Sequence, residues 1–296
     1  MFQIVSFDAG NGPVVGLREG DNYYPSETFS SVREMVDQWP LVIEKLNTAA
    51  ARIADREPLT DVTLLAPLAD PRNIYITGAN YTDHIEEMSR ALGVQLVEDA
   101  RNKGFPPWFV PKSASSVVGP DAVVKIPDGV KALDWELELA VIIGREGKNI
   151  SADHALDYVA GYTVANDLSA RDRMARDYEA ADSALRLDWL RHKSFDGSCP
   201  LGPAITPATQ VPDVQNLAIK LWVNDELMQD SHTSRMIYSV ADLVAGLSEQ
   251  ITIHPGDVIL TGTPAGVGSA QQRFLQSGDR VRQQIDQIGE FEFTVV

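Results

Sequence analysis

Glu136 and Glu138 stand one residue apart in Asp134-Trp135-Glu136-Leu137-Glu138-Leu139-Ala140-Val141-Ile142-Ile143. On an extended strand they point to one face, about 7 Å apart, while Leu137, Leu139 and Val141 point to the other. Such a pair also fits a solvated face. Here that face continues with Ala140 and Ile142, which turns it inward. Two carboxylates at that spacing repel by roughly 2 kcal/mol at an effective dielectric near 20, before any desolvation cost. They need a positive charge between them. A hard divalent ion with oxygen ligands, Mg²⁺ or Mn²⁺, supplies it and keeps positions open for water or substrate. A third oxygen ligand is available where Tyr158 to Asn166 runs extended into Asp167; the alternative is that Asp167 or Ser169 caps a following helix.

His84 and Glu87 lie three apart in Asn80-Tyr81-Thr82-Asp83-His84-Ile85-Glu86-Glu87-Met88, so a helix there puts them on one face. A carboxylate beside an imidazole fixes its tautomer and raises its pKa, as a water-activating base near neutral pH requires. An exposed ion pair is the plain alternative. Lys193, in His192-Lys193-Ser194-Phe195-Asp196-Gly197-Ser198-Cys199-Pro200, reads either as a pocket lysine at a strand edge or as a surface one. In Thr261-Gly262-Thr263-Pro264-Ala265-Gly266-Val267-Gly268, the backbone N–H groups and the Thr263 hydroxyl are placed to bind a carboxylate or oxyanion, and a simple glycine turn fits equally. Cys199 reads as a buried thiol rather than a nucleophile.

The elements that must position these residues are mostly short strands. Residues 1–65 form a small N-terminal unit. It has a strand from Phe2 to Phe7, a turn at Asn11-Gly12-Pro13, a return from Val14 to Leu17, and helical spacing of Val32, Met35, Val36, Trp39, Val42 and Leu46, with Pro40 a break or first-turn residue. Residues 66–71 hold two prolines and mark a linker; 72–296 carry the chemistry. Strands are predicted at Asn73 to Thr77, Trp135 to Ile143, Tyr158 to Asn166, Leu217 to Val223, Val258 to Thr261, and in two runs from Arg280 to Val296. Helices are predicted from Asp83 to Leu92 with Gly93 as the stop, after Ser151, from Leu168 to Leu190, and from Val240 to Leu247. Many short strands with few long helices predict a strand-dominated α+β fold rather than βαβ winding.

The 296 residues are 44% hydrophobic and 23% charged, enough for an ordinary globular core, and carry a net charge of −17. That charge repels nucleic acid and anionic membranes, and no apolar run reaches a membrane-spanning length. A small anionic substrate therefore needs a locally positive site. The first residues lack the pattern of a secretory signal and there is a single cysteine, so a cytoplasmic location is expected. No nucleotide-binding glycine loop, serine-hydrolase elbow or Cys/His zinc pattern is present.

Taken together and in this order, the four motifs resemble the fumarylacetoacetate hydrolase family, from about Pro71 to the end, and the first 65 residues resemble the small α/β domain that many members carry. The resemblance implies a mixed β-sandwich roll, a homodimer, and a divalent ion, Mg²⁺ or Mn²⁺ with Ca²⁺ as a further option, at Glu136, Glu138 and Asp167. It implies a water-activating dyad of His84 and Glu87 on a lid helix, a catalytic Lys193, and substrate contacts from Tyr81, Arg171, Gly262 and Thr263. Hydrolysis of a carbon-carbon bond in a 2,4-dioxo acid (an acylpyruvate or fumarylacetoacetate-like acid) follows: the ion polarises the 2-oxo group and favours an enolate at carbon 3, and activated water attacks carbon 4. The same site with different acid and base placement decarboxylates, isomerises or hydrates a related 2-oxo acid; a non-catalytic ligand-binding member is the remaining alternative. Two departures stand out. Met174 occupies a position where relatives often carry Gln, and the long interval from Asp167 to Lys193, with Leu185, Leu187, Trp189 and Leu190, predicts a reshaped pocket wall and a larger or more apolar substrate.

Overall fold

The longest unbroken apolar runs become the central strands of the protein. A computed structural model describes residues 1–97 and 100–296. The first half contains β1 (Gln3–Asp8), β2 (Pro13–Glu19), β3 (Asn22–Pro25), α1 (Val32–Asp37), α2 (Trp39–Ala51), β4 (Thr63–Leu65), β5 (Ile74–Thr77), α3 (Thr82–Leu92), β6 (Phe109–Lys112), β7 (Val117–Val118), β8 (Val123–Val124), β9 (Leu133–Asp134) and β10 (Leu137–Ile143). After it come β11 (Val159–Asn166), β12 (Ser169–Ala170), α4 (Trp189–Lys193), β13 (Cys199–Pro207), β14 (Ala218–Val223), β15 (Glu226–His232), α5 (Val240–Gln250), β16 (Val258–Leu260), α6 (Gly268–Gln271), β17 (Arg280–Ile285) and β18 (Gly289–Val295). This is the expected strand-dominated α+β fold.

The main sheet runs β3-β2-β1-β13-β11-β10-β16-β5-β6, with β4 beside β1 and β7 beside β13. A second sheet runs β15-β14-β17-β18-β8, and β12 pairs with β9. β10 and β11 are buried along their whole length because both faces of the main sheet are covered. Leu137, Leu139, Val141 and Ile143 enter the core shared with α5 and the second sheet, whereas Ala140 and Ile142 pack with Val32, Met35 and Trp39 of the N-terminal helices. The alternation read from the sequence is thus real, and each face has its own core. Pro40 is tolerated because it falls in the first turn of α2, where its missing N–H has no helical partner. β1 pairs with β13, Ile4 opposite Ile205, so one sheet crosses from the first 65 residues into the rest. Ala66 and Leu68 in the segment between are buried.

Two sequence expectations are corrected. Residues 168–188 form no α-helix, and the predicted helix is realised only at its end, where α4 begins at Trp189. After one 3-10 turn at Arg171–Arg173 the chain makes a hairpin-like excursion, closed by Arg176 N–H donating to Arg186 and Asp188 N–H donating to Met174. Its apolar residues Tyr178 and Leu185 are exposed, so their spacing serves no helix packing. The stretch after Lys193, for which no strand is predicted, contains β13, a central strand with three prolines. An irregularity in the pairing of β11 and β13 between Tyr162 and Val164 accommodates the missing donor of Pro203, as bulges do. Among the described residues no helix is long and apolar enough to cross a membrane.

Candidate metal centre and active site

Antiparallel pairing creates the acidic centre. β10 starts where β11 ends: Leu137 lies opposite Asn166, and the Asp167 N–H donates to the Glu136 carbonyl at 2.8 Å. Residues distant in sequence are therefore neighbours at one sheet edge. One carboxylate oxygen from each of Glu136, Glu138 and Asp167 lies within 4.8 Å of the others, and all three side chains are buried. On the other flank of β10, β16 leads into Gly262, whose N–H donates to Glu138 Oε2 at 2.6 Å. Gly262 has φ +91°, and a Cβ there would sit 2.8 Å from Asn80 Cβ.

Cations surround the acids. Lys193 Nζ donates to Glu136 Oε2 and to Asp167 Oδ2, each at 2.6 Å. Arg171 bridges Asp134 Oδ2 at 2.8 Å and Glu136 Oε1 at 2.5 Å. Lys112, a residue the sequence reading missed, donates to Asp167 Oδ1 at 2.8 Å and to the Lys193 carbonyl. Burial would raise the Glu136 carboxyl, but Lys193 and Arg171 outweigh it and hold it well below the usual range. For Glu138 burial wins, and the charges of Asp167 and Glu136 add to it, so this carboxyl is pushed well above its ordinary value. Lys193 is disfavoured by burial yet raised by Asp167 and Glu136, which keeps it charged. Four carboxylates, Asp134 included, thus face three cations. A site with an excess of buried negative charge, hard oxygen donors and one carboxyl that resists ionisation fits a divalent cation, which would replace the Glu138 proton.

The acids open into a cavity of about 150 Å³. Its walls include His84, Trp108, Met174, Trp189, His192 and Thr263. His84 Nδ1 is buried and 3.8 Å from Glu87 Oε2, an ion-pair distance rather than a hydrogen bond. Glu87 is fixed by the Gly266 N–H, 3.0 Å from both of its oxygens. Thr263 Oγ1 accepts from Gln229 Nε2 at 2.8 Å, which leaves its own proton to donate into the cavity. Gln229 also accepts the Leu137 N–H at 3.0 Å, tying the second sheet to the start of β10. Asn166 does the same from β11, accepting the Glu136 N–H at 3.1 Å and donating to Gln283 at 2.9 Å.

The structure brings together Glu136, Glu138, Asp167, Lys193, Arg171, His84 and Thr263, with Glu87 behind His84. It does not do so for Tyr81 and Gly262 in the expected way. Tyr81 is completely buried in the hydrophobic core at the start of α3 and does not line the cavity. The glycine turn donates its N–H groups to the protein's own carboxylates, Gly262 to Glu138, Gly266 to Glu87 and Gly268 to Asp134 at 2.6 Å, so the Gly262 N–H is already committed. Asp167 and Ser169 cap no helix: Asp167 binds the two lysines, and Ser169 Oγ donates to the Asp167 carbonyl at 2.9 Å. Cys199 is buried, and burial pushes its thiol up to about 12, which leaves it unreactive. Met174 does lie on the cavity wall, as does Trp189. The cavity they bound, at about 150 Å³, is below the roughly 300–1,000 Å³ of drug-sized pockets. His192, unnoticed in the sequence, also lines it; burial and then Lys193 and Arg171 push its imidazole down to about 2.

Two packed sheets with a buried tricarboxylate at the edge of the central strand pair define a class of proteins built around a metal-type acidic centre. Residues 73–296 match the family model described as fumarylacetoacetate (FAA) hydrolase C-terminal. The chain belongs to the fumarylacetoacetate hydrolase family. It is 40% identical over 288 residues, 96% of this chain and 85% of the relative, to oxaloacetate tautomerase Fahd2a, mitochondrial, of Rattus norvegicus. It is 37% identical over 298 residues, 97% and 89% of the two chains, to oxaloacetate tautomerase FAHD2B, mitochondrial, of Homo sapiens. Among solved structures, maleylpyruvate hydrolase from Sphingobium sp. SYK-6, in complex with manganese(II) and pyruvate, aligns with TM-score 0.74 at 29% identity, covering 99% of this chain and 98% of that one.

Proposed function

We propose that this protein is a divalent-metal-dependent enzyme that acts on a small 2-oxo acid by moving a proton at carbon 3, with the keto–enol exchange of oxaloacetate as its leading reaction. The observation that carries this reading is the convergence of Glu136, Glu138 and Asp167 on one small cavity that also receives Lys193 and His84. The relatives named as oxaloacetate tautomerases support the substrate, and the cavity volume supports its size.

Glu136, Glu138 and Asp167 would hold the ion, with Mg²⁺ and Mn²⁺ the candidates. When bound, it supplies Lewis-acid polarisation of the substrate's 2-oxo group. Arg171 and Lys193 make the acidic pocket acceptable to an anion. In the ketone-to-enol direction His84 would take the proton from carbon 3 while a proton is delivered to the 2-oxo oxygen, and in the reverse direction a proton is returned to carbon 3; Glu87, held by Gly266, places its negative charge 3.8 Å from the imidazole. Trp108 and Trp189 keep bulk water away from the exchanging carbon. A second reading, hydrolysis of a 2,4-dioxo acid, draws on the His84 and Glu87 pair, which is equally suited to activating water.

One assay separates them. Protein loaded with Mg²⁺ or Mn²⁺ is mixed with freshly dissolved oxaloacetate and the decay of enol absorbance is followed; a 2,4-dioxo acid is tested in parallel for release of pyruvate. Exchange faster than the buffer and metal blank is expected. Pyruvate release without accelerated exchange favours the hydrolytic reading, and activity in neither assay overturns both.

A further inference from the structure

His192 closes the cavity beside Lys193 and has no hydrogen bond of its own. Both ring nitrogens are buried without a partner, in a residue that is 1% exposed. Buried polar groups are nearly always paired, so two open positions on one ring need a reason. The neighbouring polar groups are occupied: Lys193 Nζ by Glu136 and Asp167, Arg171 by Asp134 and Glu136. The ring stands 5.7 Å from Trp189, which in turn packs edge-on to Trp108 at 5.2 Å. A phenylalanine would complete that aromatic wall and leave nothing unpaired. The imidazole instead keeps one donor and one acceptor at the wall of the cavity, in the neutral form that burial, with the charges of Lys193 and Arg171, imposes.

We infer that His192 is a specificity residue whose N–H is kept for an oxygen on carbon 4 of a 2-oxo acid, whether the ketone of a 2,4-dioxo acid or the second carboxylate of a four-carbon diacid. The inference rests on the functional reading above. A ligand that turns its carboxylate and 2-oxo oxygens toward the acidic cluster presents carbon 4 as the next oxygen-bearing position. His192 and Lys193 come from the same short helix, so the imidazole lies beside the cation that meets the inner end of the ligand. Met174, on the same cavity, offers no N–H to share the task.

The test uses two four-carbon acids that differ only at carbon 4, oxaloacetate and 2-oxobutanoate, bound to the Mn²⁺-loaded full chain and measured by calorimetry at low temperature. The wild type is expected to prefer oxaloacetate by about tenfold or more. In His192→Phe, which keeps the ring and the Trp189 contact, the preference falls to within twofold while 2-oxobutanoate binds as before. The metal-free variant melts no lower than the wild type, because it loses two unpaired nitrogens and no hydrogen bond. If His192→Phe does not fold, the similarly sized pair His192→Asn and His192→Leu decides: Asn retains a preference of several-fold and Leu loses it. An unchanged preference in His192→Phe, or equal weakening of both acids with a lower melting temperature, overturns the inference. A wild type that binds neither acid overturns the functional reading itself, and the melting comparison still reports on the unpaired ring.

Discussion

Replacing Glu138 by Gln removes one of three buried carboxylates and leaves an oxygen that still accepts the Gly262 N–H. With the ligand oxygens within 4.8 Å of one another, each like-charge pair repels by about 3.5 kcal/mol at an effective dielectric of 20. Burial, the larger effect, acts in the same direction, so Glu138 keeps its proton above its ordinary 4.5 in the folded chain. A carboxyl raised on folding contributes stability below its unfolded value, and that contribution is lost as pH climbs toward the folded one. The loss is about 1.4 kcal/mol per pH unit within that interval. At about 2.1 cal/mol/K of unfolding entropy per residue, 296 residues convert this to about 2 °C per unit. Glu136 has the opposite sign: its carboxyl is lowered, so its contribution is intact above 4.5 and fades only in stronger acid. The assay is thermal unfolding of wild type and Glu138→Gln in chelator from pH 5 upward. The melting temperature of the wild type should fall relative to the variant by about 2 °C per unit until Glu138 has ionised, and excess Mg²⁺ should reverse the trend in the wild type alone. Parallel profiles for the two proteins would refute the crowding of charge on which the metal assignment depends.

Lys112→Met leaves Asp167 Oδ1 without its lysine in a dry site, and urea unfolding should show a loss of about 3 kcal/mol or more; a loss below about 1 kcal/mol contradicts the role given to Lys112. His84→Ala should lower turnover by about 10²- to 10⁴-fold with the calorimetric affinity for Mn²⁺ unchanged, and near-wild-type turnover removes His84 from the chemistry. Gly262→Ala combines a φ of +91° with a Cβ 2.8 Å from Asn80 Cβ, and should cost about 2 kcal/mol or more in denaturant unfolding; a neutral result means the turn relaxes freely.

Much of the centre was legible because strand periodicity is a local signal. The order Glu136, Leu137, Glu138, Leu139 already assigns two faces, and Asp167 announces itself at the end of a nine-residue extended run. Partners supplied across strands were not legible. Lys112 lies 55 residues before Asp167 on a short strand with its own proline, and nothing local distinguishes it from a surface lysine. His192 looked like a neighbour of Lys193 until its two unpaired nitrogens could be seen. β13 was hidden by Pro200, Pro203 and Pro207, since proline argues against a central strand unless pairing irregularities absorb it. The stretch from Leu168 to Leu190 imitates a helix because its apolar residues recur at helical intervals, and only the exposure of Tyr178 and Leu185 separates that from a buried helical face. Tyr81 shows the converse: its ring is buried in the core while its hydroxyl is without a partner, and nothing local in the sequence separates a core tyrosine from one lining the cavity.

The most direct measurement is the anomalous difference map of a crystal soaked with Mn²⁺. One peak per chain is predicted between Glu136, Glu138 and Asp167, absent from Glu138→Gln. No peak there, with Lys193 still bridging Glu136 and Asp167 at saturating ion, would contradict the acidic triad as a metal site.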